Sequence, residues 1–127
     1  ITKVGDTYHL FYKNANNPGM NMHATSKNLY GPFEHDQGFQ EYMEKNVPNP
    51  GAYEGPTTYT LPDGRWCLML DFFGCEKEKM GYVPFVSSCP GDMNFKRADE
   101  EFSFPYGFKH GKVIEITDDE YERLKNM

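Results

Sequence analysis

The sequence predicts an all-β chain: a partial β-propeller of about two antiparallel blades, the start of a closing blade, and a short C-terminal helix. Three observations point to it: an internal repeat of about 60 residues, strands unusually rich in aromatic side chains, and turn signals between them.

The repeat shows in paired segments. Residues 5–12 read GDTYHLFY and residues 63–70 read DGRWCLML, each a turn signal followed by an aromatic strand. A second strand follows each one, MNMHATS ending at Ser26 and GYVPFVSS ending at Ser88, and then a turn leads to Phe33 or Phe95. Leu10 and Leu68 lie 58 residues apart, and both Ser26 from Ser88 and Phe33 from Phe95 are separated by 62. A period of that size made of strands and turns is near the upper end for one four-stranded propeller blade. Helical repeats are excluded, because no long stretch keeps a 3.6-residue apolar period. Trp66 to Leu70 is apolar throughout, as expected of a strand covered on both faces, and stacked blades provide such cover. The competing arrangement is a β-sandwich, or a sandwich lectin, with two similar hairpins.

Blade-like repeats are therefore expected over about residues 1–45 and 54–100, with a closing strand and helix over 101–127. Only the C-terminus looks helical: Thr117, Asp118, Asp119 and Glu120 form a T-x-x-E capping box, with Arg123 and Lys125 toward the negative end of the helix dipole. Residues 34–53 contain Pro48, Pro50 and Gly51 with no strand pattern, and read as a long irregular loop that delivers residues to one face.

Composition narrows the function classes. Of 127 residues, 10 are Phe, 9 Tyr and one Trp, while 19 acidic against 13 basic residues give a net charge of -6. No Lys/Arg cluster is long enough to neutralise successive phosphates, so nucleic acid is not an expected partner. No stretch approaches the roughly 20 apolar residues of a membrane span. Cys67, Cys75 and Cys89 form no CxxC pair and leave an odd thiol, which reads as reduced cysteines and not a disulfide or zinc framework. The chain opens Ile1-Thr2-Lys3 without Met or a signal-like segment, so a soluble protein with further residues upstream is expected, cytoplasmic or secreted.

Chemistry concentrates in GAYEGPTTYTLPDGRWCLMLD, residues 51–71. Glu54 stands between Tyr53 and Gly55-Pro56, on a constrained turn beside a ring and just before a strand. Partial desolvation there is expected to raise its pKa and keep it protonated, fit to donate to a leaving glycosidic oxygen. Asp71 ends the central strand, either lining a pocket or capping a turn. Sugar rings stack their apolar faces on aromatics, which makes Tyr53 and Phe72 candidates for a pocket wall. His9 and His23 fall in strand patterns and His35 in a loop, with no second ligand at a metal-binding spacing.

The order of these elements is more specific than any one of them. EGP, Thr57, a DG turn, an aromatic strand ending in Leu-Asp, GYVPFVSS and KHGKVIEIT at 109–117 together resemble the closing blades of glycoside hydrolase family 43. ITKVGDTYHLFYKN with SKNLYGPFE resembles the blade before them, so the resemblance covers essentially the whole chain. It implies that Glu54 is the general acid. It also implies that His110, matching the histidine of an RHG element, lies near the propeller axis and holds a metal ion such as calcium or a substrate-ordering water. Lys109 stands where the family usually has Arg, which removes planar bidentate recognition at that point. The alternative for His110 is a buried structural histidine before a glycine turn. No cofactor is expected to be required.

The resemblance further implies an inverting glycosidase acting on arabinofuranosyl or xylosyl units of plant polysaccharides. Such an enzyme needs two carboxyl groups about 6.5–9.5 Å apart. Its base, an aspartate of the first blade, and a further aspartate that tunes the acid are both expected upstream of Ile1, so the chain alone is expected to be inactive. A non-catalytic carbohydrate-binding module is the alternative. Open strand edges make homo-oligomers a further expectation.

Overall fold

The computed structural model describes residues 1–16, 19–74 and 80–127. Cys75 lies outside the described residues, while Cys67 is buried and Cys89 exposed, both as free thiols. Two four-stranded antiparallel sheets dominate. The first holds β1 (Thr2–Val4), β2 (Thr7–Lys13), β3 (Asn21–Ser26) and β4 (Glu34–His35); the second holds β5 (Tyr53–Thr60), β6 (Trp66–Phe72), β7 (Gly81–Ser87) and β8 (Lys96–Arg97). In each sheet the strands lie side by side in chain order, the meander of a blade rather than the crossed order of a Greek-key sandwich. The strand starts at 7 and 66, 21 and 81, and 34 and 96 keep the expected period of about 60 residues.

The apolar run of β6 is covered on both faces as expected, and its side chains divide by strict alternation. Trp66, Leu68 and Leu70 join Phe11, Tyr53, Phe85 and Phe95 in the larger core, on the side of the first sheet. Cys67 and Met69 face the other way, into a cluster with Tyr82, Val86 and Ala98 against which Phe102, Phe104 and Val113 pack. Trp66 is fully buried and meets His9, Phe11 and Phe95 ring to ring.

Two sequence expectations are corrected. The segment read as an irregular loop contains a ten-residue helix, α1 (Gln37–Asn46), followed by a single 3-10 turn, Pro50–Ala52. Asp36 caps α1, accepting from the Phe39 amide, and Phe39, Met43 and Val47 form a buried stripe one residue wide. Only Tyr42, partly buried, widens that stripe against the core, too narrow a signal beside Gly38, Pro48 and Pro50. The second correction concerns the closing strand: residues 101–117 form no strand, and the segment instead crosses the outer face of the second sheet, where the Tyr82 amide donates to the Phe108 carbonyl. The C-terminal helix α2 (Asp118–Lys125) forms as expected with its full Thr117/Glu120 capping box and no buried residue. Neither helix is long and apolar enough to cross a membrane.

Candidate functional site

The site begins with a β-bulge. Glu54 pairs with Asp71 across the β5–β6 ladder, but the next pair is Thr57 with Met69, so β5 carries one extra residue at Gly55-Pro56. Gly55 has φ +56, the left-handed conformation that glycine adopts without strain, as in bulges whose first residue is glycine. Bulges bend a strand and re-aim its side chains, here at the residue that precedes it.

The segment crossing this face supplies the rest. Tyr82 is the β7 partner of Asp71. Its hydroxyl lies 3.1 Å from the Gly55 carbonyl and 3.2 Å from the Gly111 carbonyl, tying the bulge to the His110-Gly111 turn. His110 adopts φ 50, and its ring sits where a β-carbon on Gly55 would come within 3.0 Å of Nδ1. This places His110 Nε2 3.6 Å from Glu54 Oε1 and 3.5 Å from Asp71 Oδ2. Lys109 Nζ approaches Asp71 Oδ1 at 3.3 Å. Asp71 itself is 0 % exposed, and among the described residues neither carboxylate oxygen has a hydrogen-bond partner, so the Lys109 ammonium is what offsets its charge.

Glu54 is partly exposed, and its other oxygen accepts a 2.8 Å hydrogen bond from Lys13 Nζ at the end of β2. This contact reverses the expectation for its acidity. The Lys13 hydrogen bond holds the Glu54 carboxyl below the usual range against the upward effect of burial, with the charges of Lys13, His110 and Lys109 adding to the downward shift. Sequence reasoning weighed the turn and the ring but had no view of a lysine 41 residues away.

Of the expected site residues, Glu54, Asp71, Lys109 and His110 come together. Tyr53 does not join them: it is 1 % exposed in the larger core, packed on Phe72 and edge-on to Phe85. Neighbours on a strand point to opposite faces, so a residue adjacent to Glu54 is turned away from it. Phe72 lies on the same side as Tyr53, next to Asp71 in sequence but behind the sheet from it. His110 is 59 % exposed in its side chain, which rules out the buried structural alternative, and Asp71 is a buried strand residue rather than a turn cap.

Three residues were missed. Lys13 is one; Phe73, whose ring lies under the Lys13 ammonium at 5.5 Å, is another. The third, Asn21, is buried beside Lys13 across the β2–β3 ladder and donates to the Tyr53 carbonyl at 3.0 Å, fixing the first sheet to the start of β5. A signal for Lys13 did exist. It stands 58 residues before Asp71, the separation of Leu10 and Leu68, so the repeat assigns both to the same end of a blade.

One oxygen each of Glu54 and Asp71 and a ring nitrogen of His110 lie within 4.8 Å of one another, an arrangement of a kind that can grip a cation. Calcium fits it poorly. Calcium takes six to eight oxygens, whereas this group offers two carboxylates and one nitrogen and already has two lysine ammoniums at the carboxylates.

Fold and site together define an all-β blade domain with a carboxylate, histidine and lysine cluster at one sheet end. Residues 1–122 match the family model of a probable glycosyl hydrolase domain related to glycosyl hydrolase family 43, and the chain belongs to that family. No curated protein and no solved structure matches the chain.

Proposed function

We propose that the chain is the acid-bearing part of a longer, inverting glycoside hydrolase that removes arabinofuranosyl or xylosyl units from plant polysaccharides. Glu54 is the proton donor in this reading. What supports it above all is the bulge at Gly55, which aims a partly exposed carboxyl beside the His110 turn and over a buried second carboxylate.

Asp71 is not the missing base. Its carboxylate has no exposed surface with which to reach a water on the far side of a sugar, and it lies within 4.8 Å of the Glu54 group, closer than an inverting pair. In this reading the base is an aspartate supplied by another segment of the longer protein. His110, exposed at the mouth, orders a substrate hydroxyl or a water. A second reading is favoured by one observation: the Lys13 hydrogen bond keeps Glu54 ionised, which suits a non-catalytic carbohydrate-binding module.

Release of nitrophenol from aryl arabinofuranosides and xylosides by the longer protein separates the two. Hydrolysis that drops roughly 100- to 10,000-fold in Glu54→Ala supports the acid role. An active parent whose mutant keeps its rate removes Glu54 from the mechanism, and binding without turnover by the parent selects the module.

A further inference from the structure

We propose that Lys13 is the anchor for an acidic group carried by the sugar substrate, so that the site takes carboxylate-bearing oligosaccharides in preference to neutral ones. The inference rests on Glu54 acting as proton donor and goes on to name the substrate class.

Charge balance carries it. At rest the cluster is matched: Lys13 on Glu54 at 2.8 Å and Lys109 on Asp71 at 3.3 Å. A glutamic acid that donates a proton must first be neutral, and neutral Glu54 leaves two ammonium groups against the single buried carboxylate of Asp71. One positive charge is then uncompensated, in a chain whose net charge is -6. Lys109 is held by charge to Asp71, which is fully buried and has no hydrogen-bonding partner among the described residues. The charge left over is therefore that of Lys13.

Lys13 is built to change partners. Its side chain is 38 % exposed, and its ammonium is a compact charge on a flexible stem. It lies over the ring of Phe73 at 5.5 Å, so an apolar face suited to a sugar ring adjoins the cation. An incoming carboxylate forms a charge-assisted hydrogen bond of the same kind that Glu54 gives up. Glu54 then loses its cation and faces the substrate anion and Asp71. Binding an acidic sugar thus raises the share of neutral, donating Glu54 above that reached with a neutral sugar, so neutral substrates are still hydrolysed but acidic ones are favoured.

The test compares glucuronate with glucose, which share a ring and differ at one carboxylate, by calorimetric titration of the protein at low and high salt. Glucuronate is expected to bind at least roughly tenfold more tightly than glucose, with the advantage shrinking as salt rises. Lys13→Met, of similar length but uncharged, abolishes the preference, while Lys13→Arg retains most of it and Lys45→Met on the exposed face of α1 leaves it intact. Melting curves establish that each variant is folded. Equal binding of the two sugars, no binding of glucuronate, or a preference that survives Lys13→Met overturns the proposal. None of these readouts needs turnover, so a longer protein that hydrolyses nothing removes the hydrolase reading and leaves the anion preference standing on its own measurement.

Discussion

Glu54 and Asp71 face each other directly across the β5–β6 ladder, one at the partly exposed mouth and the other with no exposed surface. Like charges opposed in this way destabilise a sheet unless cations intervene. Lys13 and Lys109 intervene, and they arrive from two segments far apart in sequence.

The dependence of Asp71 on Lys109 is measurable. Lys109→Met removes the nearer ammonium from a carboxylate that is buried and has no hydrogen bonds among the described residues, and is expected to destabilise the fold by about 1–3 kcal/mol. Adding Asp71→Asn removes the stranded charge and should restore much of that loss. Urea denaturation of the two single variants and the double reads the coupling, and simple additivity would show that Lys109 does not compensate Asp71.

Gly55→Ala tests the bulge. Its φ of +56 costs an L-residue about 1–2 kcal/mol, and the new β-carbon would crowd His110 Nδ1 at 3.0 Å. A lower melting temperature is expected, together with a shifted His110 ring signal in NMR spectra. An unmoved ring would mean that Gly55 does not seat it.

A buried relay in the first sheet predicts a pH dependence. His9 Nδ1 lies 3.0 Å from His23 Nε2, and His23 Nδ1 lies 2.8 Å from Asp36, which also caps α1. Burial lowers the pKa of both histidines below 6.5, aided at His9 by its histidine neighbour and only partly opposed at His23 by Asp36. Their unfolded forms therefore take up protons first. The stability they contribute is whole above about pH 6.5 and shrinks as pH falls below it. Burial opposes the ionised form of Asp36, but bonds from His23 and the Phe39 amide prevail and lower its pKa below 3.8, so its own contribution fades only in more acidic solution. Urea midpoints that stay level between about pH 8 and pH 5 would contradict the relay. Asp36→Ala, which removes both cap and relay, is expected to cost about 1–2 kcal/mol.

The sequence by itself determined the repeat, the paired strands β2 with β6 and β3 with β7, and the capped C-terminal helix, because aromatic and apolar runs, turn residues and capping boxes are local signals; Glu54, expected on a turn before a strand, lies inside β5. It did not determine α1, whose stripe of Phe39, Met43 and Val47 becomes apolar packing only once the sheets supply a surface for it. Nor did it determine the facing of Tyr53 and Phe72, because a bulge changes the local register and burial decides which face is the core. The acidity of Glu54 was decided entirely by tertiary structure. An electrostatic shift depends on distance through space, and Lys13 reaches Glu54 only after two sheets have folded and met.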